Sequence, residues 1–100
     1  MKKITYNFKD RTAVITGGAQ GFGLDIAKRF LDSGANVIIW DMDAEMTDKA
    51  VKDLNNPNLS SNKIDVSNFK EVQECTNEIL KKTNIDILIN NAGITGPTAA

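Results

Sequence analysis

Residues 12–23 read TAVITGGAQGFG, and the change of pattern inside them sets the architecture expected of the chain. Thr12–Thr16 is apolar, β-branched and ended by glycine, which predicts a short buried strand. From Gly21 the spacing turns helical. Phe22, Ile26 and Phe30 recur every four residues, with Ala27 and Leu31 beside them. The segment DSGA at 32–35 closes that helix, with Gly34 as a left-handed cap. A strand that passes through glycines straight into a helix is the first unit of an α/β fold.

The same alternation continues downstream. Asn36–Trp40 (NVIIW) is a second apolar strand, with Asp41 directly after it. A second helix is predicted over Asp43–Asn55, with Met46, Ala50 and Leu54 on one face and Val51 beside them. NNPN at 55–58 is a turn cluster. A weaker strand is expected at Ser61–Ile64. Ser67 is expected to cap a third helix reaching about Lys82, with Phe69, Val72, Cys75, Ile79 and Leu80 as its apolar stripe. Ile85–Ile89 (IDILI) forms the fourth strand, closed by NNAG at 90–93. The order β-α-β-α-β-α-β implies a parallel sheet with right-handed crossovers. The fold class is therefore α/β, the first portion of a doubly wound, Rossmann-type sheet, in one domain over residues 1–100. In the order 3-2-1-4 the fourth strand is a bare apolar edge, so the chain is expected to be the first part of a longer one or to need a partner.

Composition narrows the function. The chain is 41% hydrophobic and 25% charged, which suits a soluble globular domain. Its 12 basic and 13 acidic residues leave a net charge of −1, with no footprint for nucleic acid. No apolar run approaches the ~20 residues of a membrane span. The start MKKITYNFKDR is basic but lacks the apolar core of a secretory signal. The expectation is a cytoplasmic protein with neither nucleic-acid nor membrane partner. Cys75 is the one cysteine and histidine is absent, which excludes an internal disulfide, His-based catalysis and most transition-metal sites. No metal site is expected. Cys75 reads as a small hydrophobe on its helix, and Tyr6 and Trp40 read as structural.

The glycine loop points to an anion. The first turn of a helix carries free N–H groups and partial positive charge. Glycine removes the Cβ atoms that would hold a phosphate away. Gly17 turns the chain off the strand, Gly21 admits a pyrophosphate, and Gly23 seats the helix on the sheet. The spacing is G-x-x-x-G-x-G, which differs from G-x-G-x-x-G, and no Lys-Ser/Thr follows as in a Walker A loop. A tight turn without a ligand is the alternative. Asp41 argues against it, lying 24 positions after Gly17, close to the ~20 of a ribose-binding acid. A carboxylate there accepts from both adenosine hydroxyls and repels a 2′-phosphate. The other role open to Asp41, helix capping, can fall to Asp43.

These motifs together resemble the short-chain dehydrogenase/reductase family. TGGAQGFG at 16–23 is similar to its T-G-x-x-x-G-x-G loop, Asp65–Val66 to the acid-plus-apolar pair after its third strand, and NNAG to its motif of the same letters. The resemblance covers nearly all of the chain. It implies that Asp65 accepts from the adenine amino group, while Val66 offers its backbone and an apolar contact. For Asp65 the plainer alternative is that it only helps to start the third helix. The resemblance further implies that Asn91, Ala92 and Gly93 lie against the adenosine ribose, with Asn90 equally able to serve the sheet. Members that use NADP usually carry Arg or Lys in the glycine loop or just after the second strand, where this chain has Gln20 and Met42. The cofactor expected is NAD. It would be held by Gly17, Gln20, Gly21, Phe22, Gly23, Asp41, Asp65, Val66, Asn91, Ala92 and Gly93, with Trp40 packed near the adenosine end.

Hydride transfer also needs a group that moves the proton of the alcohol or carbonyl oxygen. The resemblance implies a tyrosine for this, a lysine four positions later, a serine and an asparagine. No catalytic residue can be assigned. The one tyrosine, Tyr6, precedes the first strand and has Asp10 four positions on, and Ser33, Ser60, Ser61 and Ser67 all precede the third helix. The leading expectation is the cofactor half of an NAD-dependent oxidoreductase acting on an alcohol or ketone, of sugar-alcohol or 3-oxoacyl type. The full-length chain is expected to form a homo-oligomer, dimer or tetramer. The alternatives are a non-catalytic NAD-binding sensor or interaction module, and a mononucleotide or flavin binder on a similar sheet.

Overall fold

In the computed structural model, which describes residues 7–91, β1 (Thr12–Thr16) is buried at every position. It pairs in parallel with β2 (Asn36–Asp41) on one side and β4 (Ile87–Asn90) on the other, and β3 (Leu59–Lys63) adds beyond β2. The order β3-β2-β1-β4 is the one expected. Three helices make the crossovers: α1 (Gly21–Asp32), α2 (Ala44–Leu54) and α3 (Phe69–Leu80).

Alternation along the strands divides the apolar residues between two faces. Ile15, Val37, Ile39 and Leu59 pack with Ala27 and Leu31 of α1, and Met46, Val51 and Leu54 of α2 close over them. On the opposite face Val14, Trp40 and Ile64 meet Val72, Cys75 and Ile79 of α3. Ile15, Ile39, Val14 and Val37 are fully buried, each stabilising the fold by roughly 1.5–3 kcal/mol relative to exposure. Both faces being covered is why these strands read as continuous apolar runs.

The helix ends follow local chemistry. Gly34 has φ +91 and donates to Leu31 at 3.0 Å, while Ala35 donates to Phe30 at 3.0 Å, so α1 closes through glycine as expected. α2 starts on Asp43, whose carboxylate accepts from Met46 N at 3.0 Å, and ends on Asn55 in the left-handed region.

Five local expectations need correction, the first being that β4 spans Ile87–Asn90 and not Ile85–Ile89, since pairing with β1 begins at Ile87 while Ile85 packs on the core before it. β3 begins at Leu59, not Ser61, because Leu59 is buried opposite Val37 while Ile64 lies past the strand, in the core of the other face. Phe22 is 81% exposed, because the small residues Gly23 and Ala27, with Leu31, form the face of α1 against the sheet. Phe69 and Leu80 are likewise exposed, which narrows the α3 stripe to Val72, Cys75 and Ile79. Finally, Asn68 and not Ser67 caps α3. Its side-chain oxygen accepts from Glu71 N at 3.2 Å, and its side-chain amide donates to Glu71 Oε2 at 2.8 Å.

β4 forms the edge of the described sheet, with Leu88 61% exposed on the α3 side. At its start Asp86 Oδ2 accepts from Thr12 N at 2.9 Å, and Asp86 N donates back to Thr12 O at 2.9 Å.

The cap assignment separates two neighbouring residues in a melt of the full-length protein. Asn68→Ala is expected to cost about 1 kcal/mol and Ser67→Ala only a few tenths. Equal losses would return the cap to Ser67.

Candidate functional site

A cleft of about 550 Å³ opens at the carboxyl ends of β1, β2 and β3, reaching Asn91 just past β4. The strand order reverses between β1 and β4, where ligand crevices form in open α/β sheets. Of the residues the sequence singled out, Gly17, Gln20, Gly21, Phe22, Asp41, Asp65, Val66 and Asn91 line this cleft together. Gly23 lies behind its wall, and Ala92 and Gly93 fall outside the described residues, as does Tyr6. Trp40, Met42, Ile64 and Ser67 complete the lining.

The glycines have separable duties. Gly17 has φ +64 and turns the chain off β1, its N–H still bonded to Trp40 O at 2.7 Å. Gly21 has φ +60, and a Cβ placed there would meet nothing within 4 Å, so that position opens onto space. Gly23 is the opposite case. A Cβ there would collide with the Gly17 carbonyl and come within 2.8 Å of Asn91 Nδ2. Gly18, passed over in the sequence reading, backs onto the core, where a Cβ would lie 3.0 Å from Ile39. Its signal was available in the doubled glycine directly after a strand.

The amino end of α1 differs from those of its neighbours. α2 and α3 carry side-chain caps and a glutamate in the first turn, whereas α1 starts at Gln20 with neither. Its first-turn N–H groups and its dipole therefore face the cleft without a side chain on them. This open end and the bare backbone at Gly21 fit a pyrophosphate.

Two carboxylates stand across from that positive end. Asp41 Oδ1 accepts from Asp43 N at 3.0 Å and Oδ2 from Ala19 N at 3.3 Å. These bonds tie the glycine loop to the turn after β2, and each oxygen keeps a lone pair for a further donor. Asp65 Oδ1 accepts both Ser67 N at 2.9 Å and Ser67 Oγ at 2.6 Å. The Ser67 hydroxyl first, and then its N–H, hold the Asp65 pKa below the usual carboxylate range. An Asp-x-Ser spacing permits this local pairing, but it does not decide whether Ser67 serves Asp65 or caps α3.

Asn91 and Asn90 act as clamps. Asn91 Nδ2 donates to Gly17 O at 3.2 Å, and Asn91 N donates to Thr16 Oγ1 at 2.9 Å. Thr16 Oγ1 in turn lies 3.1 Å from Asn90 Oδ1. Asn90 thus serves the sheet and lies off the cleft, while Asn91 both ties the strand ends and lines the cleft.

Behind the cleft Trp40 is 4% exposed and packs on Val14 and Ile64. Burial pushes the Cys75 thiol up, against a smaller opposing pull from the Trp40 indole. That indole N–H does not reach hydrogen-bonding geometry with Sγ and is buried without a partner among the described residues. Cys75 is half-buried, in keeping with a packing role. Among the described residues no cluster of three potential metal ligands occurs, and no helix is long and apolar enough to cross a membrane.

Comparison with known proteins bears on the same residues. Residues 11–100 match the family model described as short chain dehydrogenase. The 3-oxoacyl-(acyl-carrier-protein) reductase of Chlamydia pneumoniae is 41% identical over 88 residues, which cover 85% of this chain and 36% of that protein. A short chain dehydrogenase from Bacillus anthracis superimposes with a TM-score of 0.80 at 35% identity, covering 85% of this chain and 35% of that one. The Pseudomonas aeruginosa RhlG/NADP active-site complex gives 0.79 at 30% identity, covering 88% and 36%. The chain spans about a third of the length of the curated relatives it matches.

The contrast between two glycines is testable by thermal melting of the full-length protein. Gly23→Ala is expected to cost about 3 kcal/mol, because the collision is with backbone that cannot swing away. Gly21→Ala is expected to cost only the ~1 kcal/mol of placing a side chain at positive φ. The reverse order would show that the seat of α1 is not at Gly23.

Proposed function

This chain belongs to the short-chain dehydrogenase/reductase family, and we propose on that footing that its cleft binds the adenosine and pyrophosphate of NAD(H). The full-length protein would then be an oxidoreductase acting on an alcohol or ketone. The observation that carries the reading is the pairing of an uncapped helix end with carboxylates on the same cleft. Free N–H groups of α1 suit the pyrophosphate, and Asp41 suits the adenosine hydroxyls. Asp65 and Val66 suit the adenine edge and face. Ala92 and Gly93 remain part of the proposed site by the family motif.

When bound, the nicotinamide supplies or accepts a hydride. The described residues contribute binding and orientation. Asp41 fixes the ribose while holding the glycine loop through Ala19 N–H. Asn91 keeps the Gly17 carbonyl turned into the protein, away from the phosphate oxygens it would repel. A 3-oxoacyl substrate gains support from the name of the chlamydial relative. A sugar alcohol is the other substrate class within the proposal. A homo-oligomeric assembly follows from the family resemblance.

Preference for NAD over NADP rests on the Asp41 carboxylate, which would face a 2′-phosphate with like charge. One observation favours a second reading, use of NADP(H). Lys63 pairs in register with Asp41 on the neighbouring parallel strand and so lies on the same face of the sheet. Its ammonium group can offset the Asp41 charge. A strand-end lysine two residues before Asp65 carried no such meaning in the sequence, because its partner across the sheet was not known.

Titration of the full-length protein with NADH and NADPH tests both readings. The expected result is at least a tenfold preference for NADH, about 1.4 kcal/mol, with Asp41→Ala reducing it to near parity. Equal affinities in the unaltered protein would remove Asp41 from its role. A preference for NADPH that Lys63→Ala abolishes would establish the second reading.

A further inference from the structure

Resting on the cofactor reading above, we propose that Ser67 is a positioning residue that makes Asp65 selective for a 6-aminopurine. It occupies one oxygen of the Asp65 carboxylate from two directions and leaves the other to accept from the exocyclic amino group.

A lone aspartate turns freely about its terminal torsion and presents either oxygen to a ligand. Asp65 is not free in this way. The Ser67 N–H and the Ser67 hydroxyl both donate to Oδ1, at 2.9 and 2.6 Å, which fixes the plane of the carboxylate. No described residue donates to Oδ2. Asp65 and Ser67 lie on the same cleft as Gly21 and Asp41, so the fixed group belongs to the proposed adenosine end.

The Ser67 hydroxyl has no competing duty. Asn68 caps α3, and the Ser67 side chain is exposed. The same two bonds favour the ionised form of Asp65. An ionised carboxylate only accepts hydrogen bonds. It therefore attracts an amino group at the purine 6-position and repels a carbonyl oxygen there. Without Ser67 the carboxylate can rotate away from such a carbonyl, and the discrimination falls.

The test compares NADH with its reduced hypoxanthine analogue, in which a carbonyl replaces the amino group. Dissociation constants and melting temperatures are measured for the full-length protein and for Ser67→Ala, Ser67→Thr and Asp65→Asn. The unaltered protein is expected to favour NADH by about tenfold, the worth of one hydrogen bond to a charged group. Ser67→Ala should reduce that preference to about threefold or less, at a melting temperature within a degree or two of the parent. Ser67→Thr keeps the hydroxyl and should keep the preference, whereas Asp65→Asn should abolish it. A Ser67→Ala protein with undiminished preference overturns the proposal and leaves the cofactor reading standing. Equal weakening toward both dinucleotides, or a loss that follows a lowered melting temperature, overturns it as well, because that is the mark of a structural role. An unaltered protein that binds both dinucleotides equally removes adenine recognition from Asp65. One that binds neither overturns the cofactor reading itself.

Discussion

The carbonyl of Gly17 is the point on which the cleft depends. α1 is seated against it so closely that no Cβ fits at Gly23, and the Asn91 amide donates to it at 3.2 Å. One backbone oxygen thus sets the approach of a helix to the end of β1 and holds the end of β4 beside it. The helix can come this near only because the contact is backbone on backbone. From that seat the residues at its start, Gln20, Gly21 and Phe22, line the crevice. A second tie, from Ala19 N–H to Asp41, joins the same loop to the end of β2.

The packing behind this point is uneven. On one face α1 and α2 contribute buried residues, among them Ala27, Leu31 and Ala50. On the other, α3 has none, and its contacts with Trp40 and Ile64 come from half-buried side chains. One end of the cleft lies over this looser side, where Ile64, Asp65, Val66 and Ser67 leave β3. Its geometry is accordingly held by short-range hydrogen bonds of the loop, such as those from Ser67 to Asp65, more than by burial.

Much of this was legible in the sequence, for a physical reason. A strand covered on both faces must be apolar throughout, and a parallel pair must be joined by a helix, so β1, β2 and β4 and the helices between them announce themselves. Strand order and the lining of the cleft by Gly17, Gly21, Asp41 and Asp65 follow from those units and their handedness. β3 was misplaced by two residues because it is half polar, and its register rests on Leu59 meeting Val37, a contact between distant positions. Phe69 and Leu80 belong to the apolar stripe by periodicity and yet are exposed, because periodicity reports the apolar residues of a helix but not which of them meets the sheet.

The neighbour-to-neighbour chemistry of the chain thus sufficed for its elements, their order and the placing of glycines and acids at strand ends, since those depend on residue type and spacing. It also sufficed for the family motifs. What waited for the folded chain were contacts between residues far apart in number: Asn91 on Gly17, Asp41 on Ala19, Lys63 beside Asp41. The nearer question of which hydroxyl or amide serves Asp65 and which caps α3 also lay beyond spacing. Ser67 and Asn68 are adjacent and both competent, and only the path of the backbone after β3 turns one toward the carboxylate and the other toward the helix.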